Sequence, residues 1–158
     1  MANTPKTLQP VEMQNANPLA VKAVEEWIQR VSQSRSELGG FSVCPYASKA
    51  SYKIVECDID KLEPITGYDI LIYIVNESSL EEINKWIEHY NEEYSDWIFL
   101  EDCATYDTFI NGVQTNNGSL NLILAQPKKD LLKAREALKK TSYYSFWSDE
   151  YYNEIVGD

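Results

Sequence analysis

The chain has 158 residues, 25 of them Asp or Glu against 14 Lys or Arg, giving a formal net charge of −11 and a pI of about 4.5. That length suits one domain with a sizeable core, and the acidic balance excludes a nucleic-acid backbone and repels anionic membranes. No run approaches the roughly 18 apolar residues that span a bilayer, and three cysteines at wide, irregular spacing frame no disulfide scaffold and fit a reducing cytoplasm.

Residues 1–17 are polar, carry Pro5 and Pro10, and read as a flexible leader, leaving 18–158 as a single α+β domain. Asn17 is placed to cap a helix opened by Pro18. Val21, Val24, Trp27, Ile28, Val31 and Leu38 then recur at helical spacing, which makes Trp27 a core residue. Gly39-Gly40 ends this pattern, because glycine takes the left-handed conformation of a helix C-terminus.

The next stretch, Phe41 to Ala47, sets a lone thiol, Cys44, directly before Pro45 and Tyr46. Pro45 lacks an N–H and holds Cys44 extended, so the thiol lies on a sharply defined connection. Two readings follow. Cys44 is a small buried hydrophobe, or it is a nucleophile whose pKa is lowered by a nearby cation, Lys49 being the nearest in sequence.

Val43-Cys44-Pro45-Tyr46-Ala47, preceded by a helix with Trp27, resembles the Leu-Cys-Pro-Phe-Ala signature of a widespread family of uncharacterised small proteins. In that family a polar Asn-Arg-Ser-Pro segment later leads into an apolar strand. Asn117-Gly118-Ser119 before Leu120–Leu124 is similar, without the arginine and the proline. The resemblance carries no activity. It implies that Cys44 and the loop near Asn117 matter together.

Tyr52–Cys57 reads as a strand with imperfect alternation, at an edge of its sheet. Residues 58–67 form a loop, and Tyr68–Val75, rich in isoleucine, is a central strand. Ser78 and Glu81 form a capping box for a helix that buries Leu80, Ile83, Trp86, Ile87, Tyr90 and Tyr94. Its outer face carries Glu82, Glu88, Glu92, Glu93 and Asp96, a solvated surface or a recognition surface for a basic partner. His89, the one histidine, lies off the apolar stripe near Lys85 and Glu93. Any Cys-His or Ser-His mechanism must use it.

Trp97–Leu100 is a strand that runs into Glu101-Asp102-Cys103, where Glu101 and Cys103 share a face. Residues 104–118 are polar and hold Asn111-Gly112 and Asn117-Gly118, as a binding loop or a concealed hairpin. The oxygens of Asp102, Asp107, Asn111 and Asn116 lack EF-hand spacing, and no metal or cofactor is expected. Leu120–Ala125 is a second strong strand, and Pro127 opens a helix over Lys128–Lys140. Six aromatic residues then fall between Tyr143 and Tyr152, as a lid on the core or an interaction surface, and Ser148 caps a last short helix.

From Tyr68 onward this order is β-α-β-β-α, most of a ferredoxin-like unit, with the strand at 52–57 as the fourth. A ferredoxin-like four-stranded sheet is therefore expected, with helices packed mainly on one face. That fold hosts many functions. The leading functional expectation is a non-catalytic protein-binding or adaptor module, acting through the acidic helix or the aromatic tail. Two others stand beside it: a small thiol enzyme or redox protein built on Cys44, and an acidic inhibitor that imitates nucleic-acid charge. Candidate catalytic residues are Cys44, Cys103 and His89, and candidate binding residues are Tyr46, Asp102, Asn111, Asn117 and Trp147. A protein partner is expected, nucleic acid and membrane are not, and a homo-oligomer stays open.

Overall fold

At the centre of the computed structural model, which describes residues 14–157, lies a mixed sheet. Its strands are β1 (Gln14–Asn15), β2 (Tyr52–Glu56), β3 (Ile70–Ile74), β4 (Trp97–Asp102) and β7 (Leu122–Pro127). They lie in the order β1-β2-β3-β7-β4. β2 and β3 run parallel, whereas β7 is antiparallel to both β3 and β4. β5 (Phe109–Ile110) and β6 (Val113–Gln114) form a separate small hairpin. The helices are α1 (Pro18–Val31), α2 (Leu80–Glu93), α3 (Lys128–Lys139) and α4 (Asp149–Ile155).

The fold is α+β, as the sequence leads one to expect, and it departs from a ferredoxin-like unit in two ways. The strand beside β3 does come from the front of the chain, but it runs parallel to β3. Helices also pack on both faces of the sheet, not mainly on one. β3 shows why. Leu71 and Tyr73 pack with Ile83 and Tyr90 of α2, while Ile72 and Ile74 pack with Val24, Trp27 and Val31 of α1. A strand apolar at every position must be covered on both sides.

The expected leader falls largely on residues 1–13, outside the described part. Gln14 and Asn15 pair antiparallel with Glu56 and Val55 at the edge of the sheet. Asn17 caps α1 as expected, its Oδ1 accepting from Leu19 N at 2.8 Å. α1 ends at Val31, and Leu38 belongs to a separate 3-10 turn, Ser36–Leu38. The capping box of α2 sits one residue later than expected: Ser79 accepts from Glu82 N at 3.2 Å, and Ser79 N donates to Glu82 at 3.1 Å. Ser78-Ser79 followed by Glu81-Glu82 offers two registers. The chain takes the one in which Ser78 N closes a turn on Val75 O at 3.0 Å.

β4 is an edge strand, and its outward backbone groups are partly closed. Asn91 of α2 accepts from Phe99 N at 2.8 Å and donates to Phe99 O at 3.2 Å. One side-chain amide thus occupies the place of a neighbouring strand. Among the described residues no helix is long and apolar enough to cross a membrane.

Candidate functional site

The Cys-Pro segment is held from three directions. Cys44 N donates to Val31 O at the end of α1 (2.9 Å), and Cys44 O accepts from Ala47 N (3.1 Å), which closes a tight turn over Pro45. The Tyr143 hydroxyl donates to Val43 O across a separation of 100 residues. Upstream, Gly39 has a φ of 64°, and a Cβ there would lie 2.7 Å from Cζ of Phe146. The aromatic tail therefore packs directly on the loop that carries Cys44. Tyr143, Tyr144, Trp147 and Tyr151 contact one another with ring centroids 4.7–5.8 Å apart.

An open cavity of about 460 Å³ lies between this loop, α3 and the tail. Cys44, Pro45 and Tyr46 form one wall, Leu131, Ala134 and Leu138 of α3 another, and Tyr143, Tyr144 and Trp147 a third. A smaller, mainly apolar space of about 170 Å³, an arm beside the groove, lies between α1 and the sheet and is lined by Trp27, Val31, Ile72 and Leu124 among others. Val43, Cys44, Ala50 and Ile70 line both spaces. Burial pushes the Cys44 thiol up from its ordinary range. The Trp147 indole N–H is buried and faces the Tyr143 hydroxyl without reaching hydrogen-bond geometry.

A second cavity, about 390 Å³, wraps the β4 edge and is lined by Glu101, Asp102, Cys103, Tyr106, Asn116 and Tyr151 among others. Burial raises Asp102 to about 6, against the hydrogen bonds it accepts from Asn117. Burial also raises Glu101, and it pushes Cys103 up to about 12 with Glu101 adding to the effect. Leu100, Thr115, Tyr151 and Ile155 line both this cavity and the groove.

The polar loop 104–118 does conceal a hairpin. Asn111 and Gly112, with φ of 47° and 84°, make its turn between β5 and β6. Asn116, 2% exposed, organises the rest. Its amide donates to Cys103 O and Asp107 and accepts from Thr108 N and Gln114. α1 ties the hairpin to the sheet: Trp27 Nε1 donates to Thr115 O at 2.9 Å, and Arg30 donates to Gln114 O and Asn116 O at 2.9 and 2.7 Å.

The sequence candidates divide among several places. Cys44, Tyr46 and Trp147 meet at the groove. Asp102 and Cys103 meet at the second cavity. Asn117 holds Asp102 by its N–H at 2.8 Å and its Nδ2 at 2.6 Å, and it caps the entry to β7 through Ser119 N and Leu120 N. Asn111 spends its amide on Glu37 O at 2.7 Å. His89 is exposed on α2, 3.1 Å from Glu93, so the sheet stands between it and Cys44. Cys103 and Cys57 pack on the α2 face and Cys44 on the α1 face, so Cys44 has no thiol partner across the sheet. Neither a Cys-His pair nor a dithiol forms around Cys44. Among the described residues no group of three or more His, Cys, Asp or Glu is placed to hold a metal ion.

Sequence reasoning passed over Thr115 and did not single out Arg135 as a site residue, and both line the groove. Arg135 carried a usable signal, as a cation within the apolar register of its helix. None of the protein-family models, curated proteins or solved structures compared with the chain matches it.

Proposed function

We propose that this protein is a non-catalytic binding module whose recognition site is the groove between the Cys-Pro-Tyr segment, α3 and the aromatic tail. The observation that carries this reading is the groove itself: an open, largely apolar space of about 460 Å³ walled by segments far apart in the chain. That size falls within the range of small-molecule and cofactor sites.

The alternatives have less behind them. Thiol chemistry needs a thiolate, and burial raises Cys44, Cys57 and Cys103 alike. The acidic face of α2 offers charge without a cavity or a fixed geometry, which suits a solvated helix. A fragment and peptide screen by amide and indole NMR tests the proposal. Binders that shift Cys44, Tyr46 and the Trp147 indole resonance support it. Binders that shift only the α2 face, or none that reach the groove, would overturn it in favour of the acidic surface.

A further inference from the structure

We infer that the groove takes a small amphipathic carboxylic acid of the fatty-acid type. Its carboxylate is held at the rim by Arg135 and Lys49, and its apolar chain passes Cys44 into the arm beneath α1. This rests on the reading of the groove as a binding site and adds the class of ligand.

The lining argues for an apolar body. The groove and the arm share Val43, Cys44, Ala50 and Ile70 in their linings, so they adjoin along the Cys-Pro segment. The arm is smaller than the groove and is lined mainly by apolar side chains, among them Trp27, Ile28, Val31, Ile72 and Leu124. Space of this kind is poor in partners for water and favours an apolar group.

The charges argue for an anionic head. Four charged side chains line the groove: Lys49, Asp69, Asp130 and Arg135. The two anions have local reasons to be there. Asp69 accepts from Ser51 N at 2.9 Å, and Asp130 sits in the first turn of α3, where the helix dipole favours it. Neither the Lys49 nor the Arg135 side chain makes an ion pair or hydrogen bond among the described residues. Arg135 is half-buried beside Tyr144, whose phenol it draws down against the effect of burial. A planar guanidinium in that position is suited to a carboxylate. Of the two carboxylates, Asp69 is held by the backbone and Asp130 is exposed in the first turn of α3, whereas Arg135 is half-buried at the groove, which favours a carboxylate over an amine.

Titration calorimetry of the full chain with saturated fatty acids from hexanoate to palmitate, and with the matching alcohols, tests this. NMR of the Cys44 amide and the Trp27 indole locates the bound chain. The acid should bind more tightly than its alcohol. The double variant Arg135→Gln, Lys49→Gln should weaken the acid roughly tenfold and leave the alcohol unchanged. Ala134→Phe, on the half-exposed face of α3, should weaken both. Equal binding of acid and alcohol would overturn the anionic head and leave the groove as a site. Failure of every acid, with a peptide or neutral fragment shifting the same resonances, would overturn the ligand class alone. Failure of every compound to reach those resonances would sink the ligand class and the groove together.

Discussion

Asp102 ends β4 with its carboxyl buried, and burial lifts its pKa from an ordinary 3.8 to about 6. The Asn117 N–H and Nδ2, at 2.8 and 2.6 Å, favour the charged form but do not offset burial. A raised acid pKa means that the folded state holds the proton more tightly than the unfolded chain does. The resulting stabilisation is present at low pH and is lost as pH rises from about 4 through about 6. A shift from 3.8 to about 6 corresponds to about 3 kcal/mol as an upper figure. Asp102→Asn keeps an oxygen for both Asn117 donors and removes the charge. Urea unfolding across this range should show the variant more stable than the parent above about pH 7, by up to ~3 kcal/mol. The advantage should shrink towards zero near pH 4, where both side chains are neutral. Glu101, also raised by burial, is common to both proteins and largely cancels in the comparison. Parallel pH profiles, or a variant clearly less stable at neutral pH, would refute the reasoning. The Asp102 charge would then be compensated, with Arg30 the nearest source.

Asn91→Ala removes both partners of the Phe99 backbone at the sheet edge; a loss of about 1 kcal/mol is expected by denaturant titration, with concentration-dependent association in sedimentation as β4 opens. Gly39→Ala should cost about 1–2 kcal/mol from its left-handed backbone alone, and more from the 2.7 Å approach to Phe146. Adding Phe146→Leu should recover only the second part, and full recovery would show that the backbone is unstrained. Site-resolved alkylation near neutral pH should find Cys57 and Cys103, both pushed up to about 12, inert in the native protein, and a fast-reacting Cys44 would contradict the burial that raises its thiol.

Local rules in the sequence carried far. Asn17-Pro18, Ser148 and the isoleucine-rich run through β3 all do what their residue types imply. Errors came where two local answers were equally good or where pairing was not local. The serine pair before α2 allowed two caps, and only the turn on Val75 O chose between them. The direction of β2 was hidden because residues 57–69 connect two parallel strands without an α-helix, using only the 3-10 turn Ile59–Lys61. A segment of that length can return the chain in either direction. The apolar run of β3 did signal a strand covered on both faces, and that outweighs the element order that suggested helices on one side.

The groove was legible in its parts and hidden as a whole. Cys44, Tyr46 and Trp147 each drew attention in the sequence, yet nothing local joins them, since α3 and the tail return to the Cys-Pro loop from about 100 residues away. α3 supplied the least noticed clue. Leu131, Ala134 and Leu138 form the kind of stripe that marks a core face. In the folded chain no residue of α3 is fully buried, and that stripe lines the groove together with Tyr46 and Trp147. Apolar residues in register that stay half-exposed have not been satisfied by the fold of their own chain. Arg135 stands within that register, half-buried at the groove. A helix that served only to cover the sheet would have little use for either feature, and a helix that forms one wall of a binding site would need both.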